Sequence, residues 1–295
     1  EFVDIMWEKL NTEWANKTGV IDQAVGNVII HHDKLFKDSI IHSENRDGPV
    51  MTIALTNRVF INLDKNKNVL NVKGDIAAVV HQYDRKADIV QIAKDKYYLG
   101  LKNNLQLKNE NIKKNLVIVV ITNYDWDKIA IFFNSYVKAN FENTDLVVYA
   151  DNIKEVTLNK IKQCATFVLP IPDEYKKRQI LNIRWKLSSI YLKENTDKYN
   201  LVFTADVRDL FFQKDVFKYY QNIKKSFLGL ALEDGFIGQE SVNTGWIKAA
   251  YKNDIYDSIA SERIICMGTV WGTVDKFLEF VDIMWEKLNT EWANK

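Results

Sequence analysis

The sequence predicts an α/β fold with a mixed, mostly parallel sheet flanked by helices. Three observations predict it. Short, continuously apolar runs are bounded by polar loops; amphipathic stretches of helical period alternate with them; and several of the apolar runs end directly in Asp. Alternating strands and helices build a layered α/β sheet, and in such sheets ligands collect at the carboxyl ends of the strands.

The clearest series starts past residue 114. "NLVIVVITNYD" (115–125) reads as a buried strand followed by polar loop residues. "DKIAIFFNSYVKANF" follows as a helix, and "DLVVYAD" (145–151) as a second strand ending in Asp. A helical stretch, "ATFVLPIP" and a long helix over about 177–194 come next. "YNLVFTADVRDLFFQ" is a third strong strand running into acids, and "SFLGLALED" a fourth. Thr122, Asn123, Asp151, Asp206 and Asp209 all fall at such carboxyl ends, where a ligand is expected. Glu233 and Asp234 close the fourth strand and are expected to be solvated, as acids at loop starts usually are.

Other segments are less regular. "SVNTGWIKA" precedes a helix, and "ERIICMGTVWGT" reads as a small-residue loop before the last helix. "GVIDQAVGNVII" is a helix start. "DGPVMTIALT" and "GDIAAVVHQYDR" read as strands, the latter ending at His81.

One segment occurs twice: "EFVDIMWEKLNTEWANK" occupies residues 1–17 and again residues 279–295. Its apolar residues, Phe280, Val281, Met284, Trp285, Leu288 and Trp292 in the second copy, make one helical stripe. Diverged internal repeats are not identical, so this identity points to a recent duplication, a permuted or overlapping arrangement, or a piece of identical tandem repeats. Laid on each other, the copies close the chain into a circle that reads 112–278, one helix, then 18–101. Residues 102–114, polar and rich in Asn and Lys, read as a linker of ~13 flexible residues with a reach of ~20 Å. Residues 1–101 are then the C-terminal half of one domain and residues 115–295 its N-terminal half. A displaced copy of the helix exposes an apolar face, which predicts self-association by exchange of an identical element.

Composition narrows the function. The chain has 295 residues, 47% of them hydrophobic, enough for a sizeable core. Forty basic residues face thirty-nine acidic ones, so there is no electrostatic case for nucleic acid or an anionic membrane. The two cysteines, Cys164 and Cys266, make neither a disulfide framework nor a metal-ligand spacing. No apolar run approaches the ~20 residues of a membrane span. No signal peptide is visible, which makes the cytoplasm the default expectation.

The chemistry concentrates in "LVFTADVRD" (201–209), where an apolar strand delivers Asp206 and Asp209 into a loop. Hard divalent cations take oxygen ligands, commonly one or two carboxylates together with substrate phosphate oxygens. An Asp turn with surface pairs for Arg208 is the plainer alternative. Arg178, Arg184 and Lys186 lie on the preceding helix; one of them, Arg184 for instance, is placed to neutralise a diphosphate, or the three form an ordinary charged face.

The acidic string resembles the metal-binding motif of GT-A glycosyltransferases, an α/β nucleotide-sugar fold in which a short acidic motif, often Asp-x-Asp, ends a hydrophobic strand. Here the form is DVRD. "VNTGWIKA" is similar to the Asn-small-Gly segment that follows in that family, "DQAVGN" to its Asp-Gln helix start, and "VVHQYDR" to a late His that several such families use as a metal ligand. These motifs fall in family order only when the circle is reopened at the linker. The resemblance covers roughly 115–278 plus 18–97. It implies a Mn²⁺ or Mg²⁺ ion on Asp206, Asp209 and His81, and a nucleotide-sugar donor, UDP-sugar being the commonest. It also implies a glycan, protein or small-molecule acceptor, with a sugar and acceptor site framed by Asn243, Thr244, Gly245 and Asp22. Each has a plainer role: strand-end histidine for His81, helix cap for Asp22, turn for Asn243 to Gly245. Trp246 and Trp271 are candidates to stack on a sugar. A non-catalytic carbohydrate-binding or scaffold protein and a nucleotidyltransferase are the rival functions; the absence of GxxxxGK[ST] and GxGxxG disfavours P-loop and dinucleotide enzymes.

Overall fold

The computed structural model describes residues 21–43, 47–98, 113–176 and 178–289. In chain order the strands are β1 (Ile40–Ser43), β2 (Val50–Thr52), β3 (Asn62–Leu63), β4 (Val69–Leu70), β5 (Val79–His81), β6 (Lys114–Thr122), β7 (Thr144–Asp151), β8 (Phe167–Pro170), β9 (Tyr199–Ala205), β10 (Leu210–Phe212), β11 (Leu228–Phe236) and β12 (Arg263–Thr273). The α-helices are α1 (Asp22–Asn27), α2 (Ala87–Tyr97), α3 (Trp126–Ala139), α4 (Glu155–Lys162), α5 (Ile180–Asn195), α6 (Ser241–Ala250), α7 (Asn253–Ile259) and α8 (Val274–Leu288).

Seven strands form the central sheet in the order β1-β11-β12-β9-β6-β7-β8. All run parallel except β12, which is antiparallel to both β11 and β9. The pattern along β6 explains why the sheet is covered on both faces. Leu116, Ile118 and Val120 join one core with Ile183, Trp185 and Leu187 of α5 and Phe277, Phe280, Val281 and Met284 of α8. Val117, Val119 and Ile121 join the other with Ile129, Phe132 and Phe133 of α3. A strand apolar at every position is buried on both sides. Counted from β6, the chain adds β7 and β8 on one side and then crosses to β9 on the other. The crevice between the carboxyl ends of β6 and β9 is therefore a topological switch point, where ligands bind in doubly wound sheets.

A second sheet, in the order β10-β5-β2, leans on the α3 side. Its other face packs under α2 through Met51, Val80, Phe211, Ile89 and Ile92. The "YNLVFTADVRDLFFQ" run therefore splits. β9 stays in the central sheet, residues 206–209 turn, and β10 pairs antiparallel with β5, Leu210 opposite His81. Two chain segments distant in sequence thus deliver their polar ends to one corner.

Three sequence expectations are corrected. "ERIICMGTVWGT" is the eleven-residue β12, buried along nearly its whole length. Its glycines suggested a loop, but they admit close neighbours: a Cβ at Gly272 would overlap the Phe227 carbonyl, and Gly229 of β11 in turn leaves room for the Trp271 indole. Trp271 lies in the core, stacked on Phe203 with centroids 6.1 Å apart, and is 2% exposed, so it is not a sugar platform. "SVNTGWIKA" does not precede a helix but is α6 itself. The Glu240 carboxylate caps it, accepting from the backbone N–H groups of Val242 and Asn243, so Asn243, Thr244 and Gly245 are helical and form no turn.

The second copy of the repeated segment supplies most of α8. Phe280, Val281, Met284 and Leu288 are buried as the stripe requires. Trp285 lies at the flank against the edge of Tyr175, under the Arg178 guanidinium. Trp292, the first copy at 1–17 and all of the 102–114 linker before residue 113 lie outside the described residues, while Lys114 already belongs to β6.

Candidate active site

Asp206 follows the carboxyl end of β9, Asp209 directly precedes β10, and His81 ends β5. One potential ligand atom from each lies within 4.8 Å of the others. The His81 Nε2 to Asp209 Oδ1 distance is 3.5 Å, an ion-pair distance longer than a well-formed hydrogen bond. That nitrogen is buried and has no hydrogen-bond partner. Gly268 of β12 faces the same point. A Cβ there would overlap His81 Cε1 and Nε2 and come 3.0 Å from Asp206 Oδ2, so only glycine leaves room for the three side chains to converge.

The electrostatics are those of charges drawn into a corner with few counterions. Burial raises the Asp206 carboxyl, against the pull of Arg184. Burial also acts upward on Asp209, but the adjacent His81 outweighs it and leaves that carboxyl below its ordinary value. Burial alone would depress His81; the Cys266 sulfur and the Asp209 carboxylate reverse this and hold the imidazole well above its ordinary value. One imidazole and two carboxylates suit a hard or borderline divalent cation such as Mn²⁺. The unpartnered Nε2 and the room kept by Gly268 fit such an ion as well.

Arg184, projecting from α5, is buried and already committed. Its Nη1 donates to Asp206 Oδ1 at 2.5 Å, and its Nη2 donates to Asp22 Oδ2 and to the Met267 carbonyl at 2.7 Å. Asp22 is 3% exposed and also accepts from Trp185 Nε1 at 3.2 Å. It does not cap α1: the N-cap is Ile21, with no side-chain cap hydrogen bond. Its carboxyl is raised by burial, which Arg184 partly offsets. Arg184 thus bridges two carboxylates that would otherwise repel, a geometry that keeps Asp206 turned to its place.

A second chain of polar groups runs behind the triad. Gln23 Nε2 donates to Asn243 Oδ1 at 2.9 Å and to Glu233 Oε1 at 3.3 Å, and Asn243 Nδ2 donates to Glu240 Oε2 at 2.8 Å. The "DQ" and "VNTG" segments are therefore joined physically. Directly behind His81, the Cys266 Sγ lies 3.4 Å from Nδ1, and Gln82 Nε2 donates to the same sulfur at 4.0 Å. Glu233 was expected to be solvated, but it is 3% exposed, and burial lifts its carboxyl to about 7. It lies at an irregularity of β11, between the pairs that Leu232 and Phe236 make with β12, where its carbonyl accepts from the Arg263 guanidinium. Sequence reasoning missed Cys266, Gly268 and Glu233, because the strand that carries the first two reads as a loop.

Thr122 and Asp151 are register partners at the carboxyl ends of β6 and β7. Each is followed by an Asn with positive φ, Asn123 at 58° and Asn152 at 50°, and Asn152 Nδ2 donates to Asn123 Oδ1. Left-handed backbone at two adjacent strand ends is the kind of local strain found around binding sites. Asp151 lies 3.6 Å from Lys176 Nζ. Tyr124 is raised by burial and feels Arg208, Asp206 and Asp209, which puts it on the same rim. Thr244 donates its hydroxyl to the Ile237 carbonyl, Gly245 is exposed, and Trp246 is half-buried.

No protein-family model and no curated protein matches the sequence. Among solved structures, the chain resembles the mannosyltransferase Ktr4p from S. cerevisiae at 11% identity and a TM-score of 0.37, covering 70% of this chain and 71% of that one. Ktr4p in complex with GDP matches at 12% identity and 0.35, covering 72% and 74%. Core-mannan synthase A (CmsA/Ktr4) from Aspergillus fumigatus in an Mn/GDP form matches at 8% identity and 0.35, covering 66% and 68%. The likeness is coarse.

Proposed function

We propose that the chain is a GT-A-like glycosyltransferase that uses a divalent metal to move a sugar from a nucleotide-sugar donor to an acceptor. The observation that carries this reading is the convergence of His81, Asp206 and Asp209 from segments far apart in sequence onto one point beside the switch-point crevice. A Mn²⁺ or Mg²⁺ ion held by these three residues would neutralise charge on the departing nucleoside diphosphate. In this reading the chain's own groups have separate tasks. Arg184 keeps Asp206 oriented and balanced, with Asp22 working through Arg184 from within the protein. Thr122, Asn123 and Asp151 form the wall along which the nucleotide lies. Gln23 and Asn243, tied to each other and held by Glu233 and Glu240 respectively, line the sugar and acceptor side together with Thr244 and Gly245.

The test is a donor screen with Mn²⁺ and a panel that includes UDP- and GDP-sugars, read as release of free nucleoside diphosphate. The expected result is release with at least one donor, reduced by orders of magnitude in Asp206→Asn and Asp209→Asn, both of which stay folded by circular dichroism. Release of pyrophosphate instead would assign a nucleotidyltransferase. Binding without any release would assign a carbohydrate-binding or scaffold role.

A further inference from the structure

Cys266 and Glu233 are buried groups beside the site that take no direct part in the proposed reaction. Cys266 is packed directly behind His81. Cys266 is fully buried on β12, two residues before Gly268, and its Sγ is 3.4 Å from His81 Nδ1. Burial raises the thiol; the buried Glu233 carboxyl adds to this electrostatically and accepts from Gln23. Gln82 Nε2 donates to the sulfur at 4.0 Å. Thr52 Oγ1, at 3.5 Å, is a second polar atom near Nδ1. Nε2, on the opposite edge of the ring, faces the carboxylates and has no hydrogen-bond partner.

A neutral imidazole carries one proton, and only the nitrogen without it can bind a cation. A metal-bound histidine is normally fixed by a second partner that accepts the proton of its other nitrogen. We infer that Cys266, backed by Glu233, is the positioning residue for His81: its sulfur accepts the Nδ1 proton, and Nε2 is left bare toward Asp206 and Asp209. The direction of donation is then fixed. His81 Nδ1–H donates to Cys266 Sγ, while burial and the Glu233 carboxyl keep the thiol's own proton on the sulfur. The inference rests on the metal-site reading above but not on the identity of the donor sugar, nor on turnover.

The experiment titrates the full chain with Mn²⁺ alone, following free Mn²⁺ by electron paramagnetic resonance, in the parent, Cys266→Ser, Cys266→Ala and Thr52→Val. Loss of such a partner typically weakens metal binding ten- to hundredfold. That loss is expected for Cys266→Ala, while Cys266→Ser, which keeps an acceptor and a donor, stays within a few-fold of the parent. In the Zn²⁺-loaded parent, ¹⁵N spectra should show His81 metal-bound at Nε2 and protonated at Nδ1. Should Cys266→Ala fail to fold, the Nδ1–H resonance of Zn²⁺-loaded Cys266→Ser decides. A shift reporting an oxygen acceptor supports the inference, and an unchanged resonance overturns it. Cys266→Ala binding Mn²⁺ within twofold of the parent, or Thr52→Val carrying the loss instead, also overturns it and leaves the metal site intact. A parent that takes up no Mn²⁺ removes the metal-site reading and this inference together. Mn²⁺ binding lost in Cys266→Ala without any donor turnover in the parent sustains the inference and removes only the transferase.

Discussion

Glu233 shows what burial costs at a single residue. A free glutamate releases its proton near 4.5, and this one holds it to about 7, chiefly because burial penalises the carboxylate. Below pH 4.5 folded and unfolded chains both carry the proton, and the group has no effect on stability. Between about 4.5 and 7 the unfolded chain has released it and the folded chain has not. The folded state binds more protons in that window, so stability falls as pH rises through it and then levels off. The shift corresponds to roughly 3 kcal/mol at 1.36 kcal/mol per pKa unit. Glu233→Gln keeps the acceptor for Gln23 and removes the ionisation. Its stability relative to the parent is therefore expected to improve by that order between pH 4 and pH 8. Urea unfolding midpoints at the two pH values measure this, and a parent-to-variant difference that stays constant with pH would show that Glu233 ionises normally in the folded protein.

Among the elements, β12 decides most of the site and was the hardest to read. The strands β6, β7, β9 and β11 were legible because parallel, doubly buried strands are unbroken runs of Val, Ile, Leu and Phe. The helices were legible from their period, and His81, Asp206 and Asp209 from standing at the ends of apolar runs. β12 carries Gly268 and Thr269 in its middle and Gly272 near its end, and small residues in a window of eleven mimic a loop. What makes it a strand is tertiary. β9 and β11 supply hydrogen-bonding edges on both sides, and each glycine is matched to a bulky or functional neighbour, Gly268 to His81 and Gly272 to the Phe227 carbonyl. The helical state of Asn243 was hidden for a related reason: its cap is a Glu, rarer in that role than Ser, Thr, Asp or Asn. The burial of Glu233 followed from the misread strand beside it. Gly268→Ala tests the element directly. One methyl placed against His81 and Asp206 is expected to destabilise by about 1–3 kcal/mol through overpacking and to weaken Mn²⁺ binding at least tenfold. An alanine variant that melts and binds like the parent would mean that His81 has room to retreat and that the convergence at Gly268 is not needed.

On the scale of the whole molecule, numbering and architecture run out of step. β6 lies at the centre of the sheet, β7 and β8 extend it one way, and β9, β12 and β11 extend it the other. The far edge is closed by β1, which comes from residues 40–43 and pairs in parallel with β11 through Ile40 and Leu228. The second sheet is shared in the same way, β2 and β5 coming from the first hundred residues and β10 from beyond 200. The last described helix also ends beside the first, Lys287 pairing with Asp33 at 2.8 Å. Each of these contacts joins the two halves of the chain into one unit. Contacts survive when a chain is opened at a new point, provided that the old ends are joined and the new break falls in a segment with few contacts of its own. A chain rewritten as residues 113–295 followed by 18–98 carries the repeated helix once and keeps every strand pairing described above. It is expected to fold with the far- and near-ultraviolet circular dichroism of the parent and to bind Mn²⁺ with the same affinity. It should also be monomeric by light scattering, because its one helix fills the groove that takes Phe280, Val281, Met284 and Leu288. The parent, which carries that 17-residue sequence twice, is expected to show a larger mass that falls to the monomer when residues 1–17 are removed. A rewritten chain that lacks near-ultraviolet structure would mean that residues 18–98 cannot follow α8. Equal monomeric mass in all three proteins would mean that the second copy does not exchange between molecules.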